Sequence, residues 1–130
     1  MRRVSLALLA VLFIAAGSNH FIHPALYARI VPPRLPAPAL LVQVSGACEI
    51  LGGAGVLVPQ LRRLAGIGLI ALLIAVFPAN VQMAAHPGLY ADLGNAVLFY
   101  LRLPLQLVLI AWVSWACLSA GIRPAVNGDV

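Results

Sequence analysis

Glu49 is the one carboxylate in any apolar segment of this 130-residue chain, and it stands inside 39–58, a run long enough to cross a bilayer. An ionised side chain at the middle of a membrane costs a few kcal/mol or more, so such a residue faces a helix partner, a ligand or a water-filled cavity. Other polar groups sit where they could meet it. Asn19 and His20 end the first apolar run, Asn80 comes late in the third, and Arg102 is followed one turn later by Gln106 in the fourth. Arg102 lies about 9 Å into a helix starting at residue 96, and Glu49 about 15 Å from the same side, a gap that a leaning guanidinium can bridge. A direct or water-mediated Arg102–Glu49 contact is one expectation; snorkelling of Arg102 to the interface is the other. Glu49, Arg102, Gln106, His20, Asn19 and Asn80 form the candidate ligand- or partner-binding set.

The chemistry open to this set is narrow. His20 and His23 are three residues apart, but the residue before a proline leaves helical geometry, and Pro24 follows His23. With His86 in a Pro-Gly link, no second acid nearby and no cysteine cluster, no metal site is expected. Haem held between helices would need an axial histidine deeper in the bilayer. Cys48 and Cys117 differ in depth by roughly 9 Å, too far for a disulfide, and there is no CxxC pair for a thiol relay. A phosphate-cradling glycine motif, a Ser/His/Asp set and paired carboxylates are likewise missing. Self-sufficient catalysis is not expected, and no residue is assigned as catalytic.

The elements that position these groups follow from composition. Hydrophobic residues make up 63% of the chain, charged residues 8%, and mean hydropathy is +1.05. Soluble domains carry about a quarter charged residues, so an integral membrane protein is expected. The net charge of +5 comes from arginines at the edges of apolar runs. Nucleic-acid binding needs a continuous basic face and is not expected. Four helical spans are predicted, at 4–21, 39–58, 64–83 and 96–118, each near the roughly 20 residues a membrane helix needs. The fold class is all-α, a single-domain integral membrane four-helix bundle.

Between the first two spans, Pro24, Pro32, Pro33, Pro36 and Pro38 force extended or turn backbone, so that link cannot be helical throughout. Residues 59–63 form a tight connection that makes the second and third helices antiparallel neighbours. Arg2, Arg3, Arg62, Arg63 and Arg123 on one side outnumber Arg29, Arg34 and Arg102 on the other. The positive-inside rule then places both termini in the cytoplasm. The same N-terminus, with Arg2-Arg3 and the small residues Ala15-Ala16-Gly17, also has the form of a secretory signal peptide, but apolar character continues through Phe21-Ile22 and a retained first helix is the simpler expectation.

Span two carries a seam of small residues. Gly46, Glu49 and Gly53 fall on one side of the helix, at offsets of three and four, where another backbone can approach closely. With Asn19, His20, Gln43, Asn80 and Gln82 all toward the outer half, and Pro78 withholding an amide from the Ile74 carbonyl, a polar outer cavity is expected. For Gln43 and Gln82 individually, interfacial capping is the preferred role.

Three stretches, SNHFIHPALYARIVPPRLPAP, VSGACEILGGAGVLVPQLRRLAGIGLIALLIAVFPANVQMA and LRLPLQLVLIAWVSW, resemble the DoxX-like family of small four-helix bacterial membrane proteins over most of 17–115. The glutamate followed by glycines and the arginine pair after it carry the resemblance most specifically. It implies the four-helix fold and a place in the bacterial cytoplasmic (inner) membrane. Family links to thiosulfate:quinone oxidation and to membrane redox assemblies imply an accessory subunit of a quinone-linked complex, with quinone as the implied cofactor and an oxidoreductase, or a second copy of the chain, as partner. Related sterol-binding modules imply the alternative: a free-standing binder or permeation protein for a small hydrophobic molecule in an intramembrane pocket.

Overall fold

The computed structural model describes residues 1–119. Arg123, counted above on the cytoplasmic side, lies outside the described residues. Five α-helices, and no strand among the described residues, make up the chain: α1 Arg2–Ile22, α2 Pro24–Ile30, α3 Pro38–Gly55, α4 Arg62–Ala85 and α5 Ala96–Leu118, with a 3-10 turn at Pro87–Tyr90 between the last two.

The punctuation of the sequence explains most of these boundaries. Pro24 and Pro38 stand at the first turn of α2 and α3, where a missing amide costs nothing and the fixed φ suits a helix. Asn95 caps α5, its side chain accepting from the Leu98 amide at 3.0 Å. Pro78 and Pro104 lie inside α4 and α5, each removing one helical hydrogen bond. Two differences from expectation have the same origin. The proline-rich link contains a helix, because Pro24 opens one; only 31–37 is irregular. α3 stops at Gly55, three residues short of the predicted end, where 56–61 turns the chain into α4.

α1 packs on α3, α3 on α4, and α4 on α5, while α5 also touches α1; α2 lies chiefly on α3. At one end, Arg2 Nε donates to the Ala116 carbonyl at 2.8 Å and Arg62 Nε to the Val56 carbonyl at 2.9 Å. The starts of α1 and α4 therefore lie with the ends of α3 and α5. A large apolar cluster including Leu6, Leu9, Phe13, Val56, Leu69 and Val113 fills this half, and a smaller one of Met83, Ala84, Tyr90 and Phe99 lies toward the opposite end.

α1, α4 and α5 are each long and apolar enough to cross a membrane. Their outward faces agree: Val11, Leu64, Val97 and Leu107 are all more than half exposed. A continuous apolar exterior of this kind suits hydrocarbon and not water.

Candidate functional site

The seam between α1 and α3 sets the geometry. Gly17 on α1 faces Gly46 and Glu49 on α3 so closely that a side-chain carbon at 17 would meet the Gly46 carbonyl oxygen at 2.6 Å and the Glu49 Cβ at 2.9 Å. Further along, Gly53 lies against the Ala10 backbone and Ile14. Gly46 and Gly53 thus occupy the face predicted from their spacing, and their missing side chains let the two backbones approach. That approach brings His20, one turn beyond Gly17, beside Glu49.

His20 and Glu49 are both buried, at 8% and 9% exposure. His20 Nε2 lies 3.5 Å from Glu49 Oε2. This distance permits charge attraction but is too long for a well-formed hydrogen bond, and Oε2 is buried with no hydrogen-bond partner among the described residues. On the other side of the ring, His20 Nδ1 sits 3.1 Å from the Val42 carbonyl and 3.1 Å from Ser45 Oγ, while Ser45 Oγ donates to the same carbonyl at 3.0 Å. A carbonyl only accepts, so the Nδ1–Val42 contact is a hydrogen bond in the tautomer that carries a hydrogen on Nδ1. In a neutral imidazole Nε2 is then the acceptor, aimed at Glu49. The pair is electrically neutral overall when one proton is shared between Nε2 and Oε2, either as carboxylic acid with imidazole or as carboxylate with imidazolium. That state avoids the cost of a lone charge in hydrocarbon.

Beside this pair lies a cavity of about 430 Å³. His20, Tyr27, Ser45, Glu49, Asn80 and Arg102 supply its polar lining; apolar side chains from α1, α2, α3, α4 and 31–35 supply the rest. α2 closes one wall by folding back over the end of α1. Its Tyr27 ring lies 4.1 Å from the His20 ring, and the Tyr27 hydroxyl accepts from Asn19 Nδ2 at 2.7 Å. α2 is held in turn from the far side: Arg29 makes two hydrogen bonds with Asp92, at 2.8 and 3.0 Å, and the Tyr90 hydroxyl donates to the Arg29 carbonyl at 3.1 Å. The hydrogen bond with Asp92 raises the pKa of Arg29, and that with Arg29 lowers the pKa of Asp92.

The predicted set is brought together in part. Glu49, His20, Asn80 and Arg102 line one cavity, and Asn19 supports it through Tyr27. Arg102 is exposed, and the ion-pairing partner of Glu49 is His20. Gln106, buried at 4% exposure, turns toward α4: its Oε1 accepts from Asn80 Nδ2 at 2.7 Å, and its Nε2 donates to the Leu73 carbonyl. That carbonyl neighbours Ile74, the residue Pro78 leaves without an amide, so Gln106 braces the turn that the proline loosens. Gln43 and Gln82 are outside the cavity lining. Cys48 is exposed, Cys117 is buried in the larger core, and both are free thiols.

A family model described as a domain of unknown function, DUF8561, matches residues 9–117. The chain belongs to that family. Among curated proteins and among solved structures, nothing matches it. The matched DUF8561 segment contains the whole cavity lining and the Gly17–Gly46 contact, while Arg2 and Arg3 precede it.

Three contributors escaped sequence reasoning. Ser45 had a usable signal, since it stands four residues before Glu49 and shares its face. Tyr27 depended on α2 folding back, and Gly17 on the register of one helix against another, which no local pattern encodes.

Proposed function

We propose that this chain is a multi-pass protein of the bacterial cytoplasmic membrane that takes a small, mostly apolar molecule into the cavity beside Glu49 and holds its polar head there. The observation that carries this reading is Glu49, which lines a cavity of about 430 Å³ and whose Oε2 is buried with no hydrogen-bond partner among the described residues. Ligand pockets commonly have this character: several hundred Å³, an apolar lining and a few convergent polar groups. A hydroxyl, amine or amide on the ligand would satisfy the carboxyl oxygen, and the apolar walls would take the rest. The packed cluster of Leu9, Phe13, Val56 and Leu69 toward the Arg2 end favours a binding pocket over a permeation path.

In this reading α3 is the fourth span of a four-helix bundle. Its 18 residues reach about 27 Å, close to the hydrocarbon thickness, and Glu49 faces inward. Both termini lie in the cytoplasm. Supporting that orientation, Arg2, Arg3, Arg62 and Arg63 mark one end, against Arg34, Arg102 and an Arg29 neutralised by Asp92 toward the other.

A second reading is favoured by the juxtaposition of His20 and Glu49, with Nε2 3.5 Å from Oε2. A quinone head group fits this lining, since its carbonyl oxygen accepts from a protonated Glu49, from Asn80 or from Tyr27. When bound, a quinone would supply two-electron redox chemistry. His20 and Glu49 would hold a proton at Nε2 or Oε2, and an oxidoreductase partner would supply the electrons. The chain is then the accessory subunit of a quinone-linked complex, as its resemblance to the DoxX-like family implies.

Purification in mild detergent, followed by mass spectrometry of both the organic extract and the co-purifying proteins, tests the two readings together. A defined hydrophobic molecule on a solitary chain supports the binder. A quinone together with a stoichiometric oxidoreductase supports the subunit. An extract holding only bulk phospholipid in proportion to the membrane would contradict both.

A further inference from the structure

The end of the molecule remote from Glu49 carries a second constellation. Arg2, Arg3 and Arg62 line an open cavity together with Leu6, Leu57 and Pro59, where the start of α1 meets the α3–α4 turn. Two of these guanidiniums are fixed in place. Arg2 and Arg62 are half-buried, and each donates through Nε to a helix-end carbonyl, Ala116 at 2.8 Å and Val56 at 2.9 Å. Nε is thereby used up, and the terminal Nη groups of both residues make no hydrogen bond to a described residue. The described carboxylates are Glu49, within the bundle, and Asp92, at the opposite end and bonded to Arg29. No described acid therefore offsets this positive charge.

Helix capping accounts for the two Nε bonds, because guanidiniums are favoured near helix C-termini. It does not account for the convergence of three guanidiniums on one cavity with their planar donors left over. Paired N–H groups of this kind match the oxygens of a phosphate. The apolar part of the lining says which phosphate. Leu6 and Leu57 border the arginines, and Val4, Leu57 and Leu64, at this same end, present exposed apolar side chains. A phosphate joined to acyl chains can set its head on the arginines and its chains along these residues; a water-soluble phosphate uses only the first half.

We propose that Arg2, Arg3 and Arg62 form a binding site for the phosphate head group of an anionic membrane lipid. The site shares only the membrane placement with the ligand cavity. Its occupancy is independent of Glu49.

The full chain in mild detergent can be titrated with a short-chain phosphatidylglycerol, a short-chain phosphatidylcholine and inorganic phosphate, each followed by native mass spectrometry. Phosphatidylglycerol is expected to bind at least about tenfold tighter than either of the others. Each arginine near a membrane surface contributes roughly a fivefold factor for an anionic lipid, so the doubly substituted Arg2→Gln/Arg62→Gln chain should lose most of that preference. Arg3→Gln serves as the second variant, because Arg3 makes no hydrogen bond to the backbone of a described residue and its loss leaves the Arg2 and Arg62 caps intact; about a fivefold weakening is expected. Equal affinity for the two lipids in the native chain, or an undiminished preference in Arg3→Gln, would overturn the site. Inorganic phosphate binding as tightly as phosphatidylglycerol would overturn its assignment to a lipid.

Discussion

Gly17 and Glu49 touch across the α1–α3 seam: a carbon added at Gly17 would lie 2.9 Å from the Glu49 Cβ. The site therefore depends on an absent side chain as much as on a present one. Without that close approach His20 could not stand opposite the carboxyl group. The first prediction follows directly. Gly17→Leu should destabilise the protein by about 1–3 kcal/mol through overpacking. Gly68→Ala is its control: nothing lies within 4 Å of a carbon built there, so gaining helix propensity should stabilise by up to about 1 kcal/mol. Thermal unfolding in detergent, followed by circular dichroism, measures both. A Gly17→Leu chain as stable as the parent would show that α1 and α3 are further apart than described.

Gln106 and Asn80 should behave as one unit. Gln106→Leu removes the bond to Asn80 and the one to the Leu73 carbonyl, and should cost about 1–2 kcal/mol in a membrane environment. In a double-mutant cycle with Asn80→Leu, the coupling energy should reach about 0.6 kcal/mol or more. Strict additivity would mean that the two amides do not meet.

The Arg29–Asp92 bridge fastens α2 over the cavity and gives the protein an acid-sensitive wall. Asp92 titrates below the ordinary carboxylate range because Arg29 donates to it. Its contribution to holding α2 is complete at neutral pH and is lost as pH falls through that lowered value. Limited proteolysis by an acid-active protease should therefore open residues 24–35 only at acid pH in the parent. In Asp92→Asn, a neutral-pH protease should cut the same segment, where the parent resists.

Much of this arrangement was legible in the sequence, for reasons that differ by residue. Glu49 stood out because a lone carboxylate in an apolar run has few stable environments, and Gly46 and Gly53 were placed on its face by helical period alone. Pairings between helices were harder to anticipate. Arg102 and Gln106 were matched to Glu49 by depth, yet depth says nothing about which way a side chain leaves its helix. Gln106 turns to α4, where Pro78 disturbs the backbone, and His20 takes the place beside Glu49. Gly17 lay hidden in an Ala-Ala-Gly stretch whose local form is that of a cleavage site. α2 was obscured because Pro24, a helix breaker in an interior, starts a helix when it stands at the first turn.

The account rests on Glu49 holding a ligand, and the number of bound molecules per chain in Glu49→Gln tests this most directly. Glutamine keeps the size and the hydrogen-bonding capacity of the side chain, so the fold should persist, with thermal unfolding as the check. A hydrogen bond to a carboxylate is worth roughly 1.5–3 kcal/mol against about 0.5–1.5 kcal/mol for one to a neutral amide, a difference of about tenfold in affinity. Mass spectrometry of the extract from equal amounts of detergent-purified protein should therefore find a defined small molecule near one per chain in the parent and at least about tenfold less in a folded Glu49→Gln chain. Equal occupancy in the two would contradict the account and leave Glu49 as a packing element of the α1–α3 seam.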